Sequence, residues 1–196
     1  MIDVDELKQL ARPKGLPFRI GKLGHVVINV RDVAHSVRFY TEVLGFEVSD
    51  VYPDEMVPGG MAFLRCNPDH HGIALVGSQT ALSENVELNH VAFEVATLDE
   101  VMRARDHLIR HGVTIDFEGR RRAGCQLAVE FRDPDNHRLE IYWGIDQIGS
   151  DGRARSSKEW NGVRGLEAAI ADPVPGQDTA LHDPSLLNGQ DQIRSG

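Results

Sequence analysis

Cysteine is scarce in this chain. Cys66 and Cys125 are the only two in 196 residues, too few for a disulfide framework and not at the spacing of a paired metal motif. They read as buried free thiols of a reducing compartment. Long apolar runs are also missing. No stretch approaches the roughly 20 apolar residues of a membrane span. The opening residues, Met1-Ile2-Asp3-Val4-Asp5-Glu6, lack the basic-then-apolar pattern of a secretory leader. The expectation is a cytoplasmic protein with no membrane partner. Positive charge is in short supply as well: 21 Lys and Arg stand against 30 Asp and Glu, a net charge of −9. That balance disfavours binding to nucleic acid or to an anionic membrane surface. The remaining composition, 41% hydrophobic and 26% charged, is that of a soluble globular protein. The length suits one ordinary domain or two small modules sharing a core.

The chain contains a repeat. Residues 24–45, GHVVINVRDVAHSVRFYTEVLG, resemble residues 89–112, NHVAFEVATLDEVMRARDHLIRHG. Each opens on His-Val, continues as an alternating strand, turns, and runs into an amphipathic helix ending in Gly. Residues 67–76, NPDHHGIALV, likewise match residues 133–142, DPDNHRLEIY. The first pair is offset by 90 − 25 = 65 positions and the second by 134 − 68 = 66. Two anchors at nearly one offset indicate a duplicated unit.

Within unit one the pattern predicts a strand at 24–30, a helix at 33–44, and strands at 46–53, 60–66 and 71–77. Unit two repeats it with a strand at 88–95, a helix at 98–111, and strands at 114–118, 126–132 and 137–143. Gly45 and Gly112 stand where a helix C-terminus favours positive φ. The expected class is α+β, two βαβββ modules spanning 22–78 and 87–145 and joined by a linker at 78–87. An N-terminal extension, 1–21, carries a short helix near 3–11. A C-terminal tail, 146–196, holds one helical stretch near 164–171. Trp160, Leu186 and Leu187 suggest that parts of it pack on the body.

Strand parity singles out three side chains. His25, Val27 and Asn29 share one face of their strand; His90, Ala92 and Glu94 share one face of theirs; Arg138, Glu140 and Tyr142 share one face of the last. The opposite faces are apolar and suited to packing under helices. If the polar faces line one concave surface, His25, His90 and Glu140 converge as ligands of a divalent metal.

The double βαβββ pattern, with His opening each unit and Glu in the last strand, resembles the vicinal oxygen chelate superfamily. Glyoxalase I, the fosfomycin-resistance enzymes and the type I extradiol dioxygenases belong to it. The resemblance covers roughly 22–145 and implies an incomplete barrel around one metal site. By the repeat, Glu140 aligns with Ala74 (140 − 74 = 66), which cannot bind metal. Three ligands with open positions are the set of non-haem Fe(II) oxygenases. His70-His71-Gly72 resembles the His-His segment of extradiol dioxygenases, which implies His71 as the acid–base group. The family's usual further histidine falls in the segment Gly119-Arg120-Arg121-Arg122-Ala123-Gly124, and its usual tyrosine falls on Glu130. The arginines there could bind a substrate carboxylate. Arg121, Glu130 and Tyr142 are the expected substrate-binding residues.

The resemblance thus implies an Fe(II)-dependent dioxygenase that cleaves an aromatic vicinal diol with dioxygen, with Mn(II) or Zn(II) as other metals and a homodimer as the default assembly. A redox-neutral lyase, isomerase or thiol transferase of the glyoxalase type is the alternative. A metal-free binding module, like the bleomycin-resistance proteins, would need no such triad.

Overall fold

Alternating apolar residues, helix caps and left-handed glycines build the same unit twice. The computed structural model describes residues 2–11, 14–15, 17–148 and 153–188. After a short helix α1 (Val4–Lys8), module one runs β1 (Val26–Asn29), α2 (Val33–Arg38), β2 (Glu47–Tyr52), β3 (Met61–Arg65) and β4 (Ile73–Val76). Its helix continues as a wider π-turn over Phe39–Val43. Module two runs β5 (Val91–Glu94), α3 (Leu98–Arg110), β6 (Ile115–Arg120), β7 (Leu127–Arg132) and β8 (Arg138–Trp143). Asp32 caps α2 by accepting the His35 amide, and Thr97 and Glu100 form a reciprocal capping box on α3. Gly45 and Gly112 end the two helices at φ 77° and 69°, where a β-carbon would be strained.

The two sheets have the same order, β1-β4-β3-β2 and β5-β8-β7-β6, and the second gains an outer strand, β9 (Val163–Arg164). The duplication extends to register. Val27 lies across from Ala74 in the parallel β1–β4 pair, and Ala92 across from Glu140 in β5–β8. Both modules also carry a register shift at the same place, between Val48 and Asp50 in β2 and between Ile115 and Phe117 in β6. The sheets remain separate, and no closed barrel forms among the described residues.

The modules meet through their helical sides. Val30, Tyr40 and Phe46 of module one share a buried cluster with Leu98, Val101, Met102 and Leu108 of α3. Phe46 packs edge-on against Phe93, with ring centroids 5.4 Å apart. Polar contacts close the seam. Tyr40 Oη donates to Asp133 Oδ2 at 3.2 Å, Ser36 Oγ to Asp135 Oδ2 at 3.0 Å, and Arg31 Nε to Asp135 Oδ1 at 2.7 Å. His107 Nε2 reaches the Val43 carbonyl at 2.9 Å. Burial of this apolar surface is the main force joining the halves, and the paired carboxylates fix their relative setting.

Part of the C-terminal region lies on module two. Strand β9 pairs with β6, and α4 (Leu166–Ala171) buries Leu166 and Ala169. Arg105, nearly wholly buried, pairs with Glu167 at 2.5 Å and with Asp106 at 3.0 Å. Asp99 accepts the amides of His182 and Asp183 at 3.0 and 2.7 Å. Leu186 packs against the core, whereas Trp160 and Leu187 stay largely exposed. No helix among the described residues is long and apolar enough to cross a membrane.

Candidate metal centre

His25 and His90 each immediately precede an edge strand, β1 and β5, rather than lying within one. Glu140 sits inside β8, beside β5, and its side chain is only 2% exposed. His90 Nε2 approaches Glu140 Oε2 to 3.3 Å. On the other ring nitrogen, His90 Nδ1 lies 2.9 Å from Asn89 Oδ1. In the tautomer that donates Nδ1–H to Asn89, His90 offers an Nε2 lone pair on the side of the Glu140 carboxylate. Two electron-rich atoms at that separation are the donor arrangement that a divalent cation stabilises.

The surroundings of Glu140 support the same reading. Gln126 Nε2 donates to Glu140 Oε1 at 3.3 Å, while Gln126 Oε1 is buried without a partner. Glu130 lies directly across from Glu140 in the β7–β8 ladder. Burial raises the Glu140 carboxyl above the ordinary carboxylate range and Glu130 adds to the rise, against the Gln126 hydrogen bond, His90 and Arg121. A desolvated carboxylate beside a second carboxylate is uncomfortable without a cation.

His25 stands apart from this pair. Its ring lies 4.6 Å from that of His71, which also packs on Phe63 at 5.0 Å. His71 Nδ1 lies 3.0 Å from His70 Nδ1. Desolvation, then His25 and His70, lower the proton affinity of His71. Among the described residues of one chain, no three His, Cys, Asp or Glu side chains gather to hold a metal ion. The fold therefore brings His90 to Glu140 and His25 to His71, but does not join the two pairs.

The expected substrate residues lie on module two. Arg121 forms a two-pronged ion pair with Glu130 and rests over the Phe117 ring, 3.7 Å from its centroid. Arg164 of β9 faces the same ring at 5.5 Å. With His90 and Arg138 these residues line a pocket of about 380 Å³. Tyr142 shares the strand of Glu140, and burial, then Glu94 and Glu140, hold its phenol above the usual range.

The three-arginine run divides. Arg120 is buried and donates to the carbonyls of Ala169 and Asn161, so it anchors the C-terminal region instead of facing a substrate. Sequence reading missed Asn89 and Gln126. Parity held the signal for Gln126, which shares the face of Glu130 two residues at a time along the strand. Asn89 left only its place next to His90.

A family model described as the Glyoxalase/Bleomycin resistance protein/Dioxygenase superfamily matches residues 22–141. Among curated proteins, the chain is 34% identical over 131 residues to a biphenyl-2,3-diol 1,2-dioxygenase of Metapseudomonas furukawaii, covering 64% of this chain and 41% of the relative. It is 29% identical to an iron-dependent extradiol dioxygenase of Rhodococcus jostii, covering 79% and 52%. It is 25% identical to a manganese-dependent 2,3-dihydroxybiphenyl 1,2-dioxygenase of Geobacillus genomosp. 3, covering 65% and 38%. The chain thus spans about half or less of the length of these relatives. Among solved structures, a glyoxylase/bleomycin resistance protein/dioxygenase domain from Frankia sp. EAN1pec shares the fold, with a TM-score of 0.55, 24% identity, and coverage of 64% of this chain and 99% of that one.

Proposed function

Because this chain belongs to the glyoxalase, bleomycin resistance protein and dioxygenase superfamily, we propose that it acts as a metal-dependent extradiol dioxygenase. Its substrates are a catechol-type vicinal diol and dioxygen, and its metal is Fe(II). The observation that carries this reading is the facing pair His90 Nε2 and Glu140 Oε2, 3.3 Å apart. Ala74 takes the place of Glu140 in module one, so no fourth protein ligand competes for the open positions. An open set of two histidines and one carboxylate suits Fe(II) oxygen chemistry, with Mn(II) the nearest competitor and a closed Zn(II) site disfavoured. The names of the relatives support ring cleavage and divide between iron and manganese.

When bound, the metal supplies Lewis acidity to the diol and a redox partner for dioxygen. The protein does the rest. His90 and Glu140 would hold the ion, with His25 as the third ligand of the set. His71, beside His25, accepts a proton from a diol hydroxyl, since an imidazole titrates close to neutral pH. Tyr142 keeps its hydroxyl proton and donates a hydrogen bond to a substrate oxygen. Arg121, braced by Glu130 and Phe117, orients the ring and, with Arg138 and Arg164, favours an anionic substituent on it.

Oxygen consumption tests the proposal. Protein loaded anaerobically with Fe(II) should take up dioxygen in step with a yellow ring-opened product on a panel of catechols. Stoichiometric metal with no oxygen uptake across the panel would overturn it, and turnover that survives strict exclusion of oxygen would favour the redox-neutral chemistry instead.

A further inference from the structure

The pocket beside His90 is cationic, in a chain whose net charge is −9. Four arginines and two carboxylates line it. The carboxylates are already committed: Glu130 holds Arg121 with both oxygens, and Asp116 holds Arg132. Arg138 and Arg164 have no carboxylate partner among the described residues. Each also faces a like charge. Arg138 lies directly across from Arg132 in the β7–β8 ladder, where like charges repel. Arg164 shares the Phe117 ring with Arg121, their guanidinium carbons 5.5 and 3.7 Å from its centroid. Two unpaired cations on one cavity of about 380 Å³ are an arrangement that an anion stabilises.

Arg164 does not come from either module. It lies beyond the family-matched residues 22–141, on β9 of the C-terminal region. The backbone nonetheless fixes its place. Arg164 lies across from Gly119 and Val163 across from Arg120 in the β6–β9 ladder, and the Gly165 amide donates to the Glu118 carbonyl at 2.8 Å. A β-carbon at residue 119 would strike the Val163 carbonyl, so glycine there admits the strand. α4 follows directly and buries Leu166, while buried Arg120 donates to the Ala169 carbonyl. Phe117 and Gly119 share one face of β6, so the residue across from Gly119 is a diagonal neighbour of the aromatic ring. Anchored on both sides, the arginine is presented at a set position, which lowers the ordering cost of binding.

The ligand follows from the chemistry. His90 lines the same pocket, so a substrate beside it shares the cavity with both unpaired cations. The planar guanidinium fork matches the two oxygens of a carboxylate. We propose that Arg164 is a specificity-determining residue supplied from outside the family domain, and that with Arg138 it selects a vicinal diol bearing a carboxylate on its aromatic ring. The inference rests on the reading of this chain as an extradiol dioxygenase and narrows its substrate class. Arg121 has a different part. Glu130 already neutralises it, so it stacks and orients without discriminating charge.

Matched diols test this. One pair is 3,4-dihydroxybenzoate and 4-methylcatechol, the other 2,3-dihydroxybenzoate and 3-methylcatechol; within each, carboxylate replaces methyl. Oxygen uptake by Fe(II)-loaded protein gives the kcat/KM ratio within a pair, and anaerobic calorimetric titration gives the affinity ratio without turnover. The wild type should favour the carboxylated member of at least one pair, and added salt should shrink that preference. Arg164→Gln should lower the ratio about tenfold, mainly through KM, and Arg164→Lys should restore part of it. Limited proteolysis verifies that β9 stays docked in both variants. A wild type that favours the methyl member of both pairs, or an Arg164→Gln ratio equal to that of the wild type, would overturn the assignment. Carboxylate-selective binding without oxygen uptake on any diol would instead overturn the dioxygenase reading and leave the anion site standing.

Discussion

Replacing Tyr40 by phenylalanine removes one hydroxyl from the seam between the modules and little else. The ring is fully buried, edge-on to Phe39 at 5.7 Å and to Phe46 at 5.9 Å, so its packing survives the change. The lost interaction is the 3.2 Å hydrogen bond to Asp133 Oδ2. Asp133 keeps the His137 ring at 2.9 Å and the amides of Asp135 and His137 at 2.9 and 2.8 Å, so its carboxylate is not orphaned. The cost therefore falls towards the lower end for a bond to a charged group, about 1–2 kcal/mol. Urea unfolding at fixed protein concentration reads it as a lower midpoint at unchanged slope. An alkaline arm adds a sign. Burial, then Asp133, raises the Tyr40 phenol well above its ordinary value of 10.0. Folding thus favours the protonated phenol, and its stabilisation is complete below pH 10 and is lost as pH rises through the folded value. Tyr40→Phe should remove that alkaline loss. A change below about 0.5 kcal/mol at neutral pH, with the alkaline loss intact, would refute the claim that this bond helps hold the modules together.

Other perturbations reach the rest of the account. Arg105→Met should destabilise the fold by about 3 kcal/mol in the same assay, because it withdraws a buried cation from Glu167 and Asp106. Gly119→Ala should release β9 from β6. Its φ is 133°, and a β-carbon would lie 2.1 Å from the Val163 carbonyl. Limited proteolysis should then cut the 153–188 region faster, and unchanged protection would contradict the pairing. His71→Ala should leave Mn(II) content unaltered while lowering turnover roughly 100-fold or more, the scale of one lost acid–base group; an equal loss of metal would make it a ligand instead.

Much of the fold was legible because duplication is a sequence property. The 65- and 66-residue offsets equate Val27 with Ala92 and Ala74 with Glu140, and the ladders repeat accordingly, Val27 lying across from Ala74 as Ala92 does from Glu140. Apolar periodicity found both main helices, and Gly45 and Gly112 marked their ends. Parity put Glu140 and Tyr142 on one face. It could not say how the two modules would meet, because parity orders the faces within one strand and does not set one sheet against another. The separation of His25 from His90 follows from that choice, made by Phe46, Phe93 and the Asp133–Asp135 turn. Strand β9 escaped because two residues carry no period. Arg120 looked like its neighbours in the run, and its burial depends on α4, far along the chain.

Metal content tests the central claim most directly. After anaerobic Fe(II) loading and dialysis, elemental analysis should find one metal per wild-type chain. Glu140→Gln, which keeps the side-chain shape and removes the charge, should weaken binding by at least about tenfold. Wild-type protein that holds no stoichiometric metal, or a Glu140→Gln variant that holds it equally well, would contradict the account.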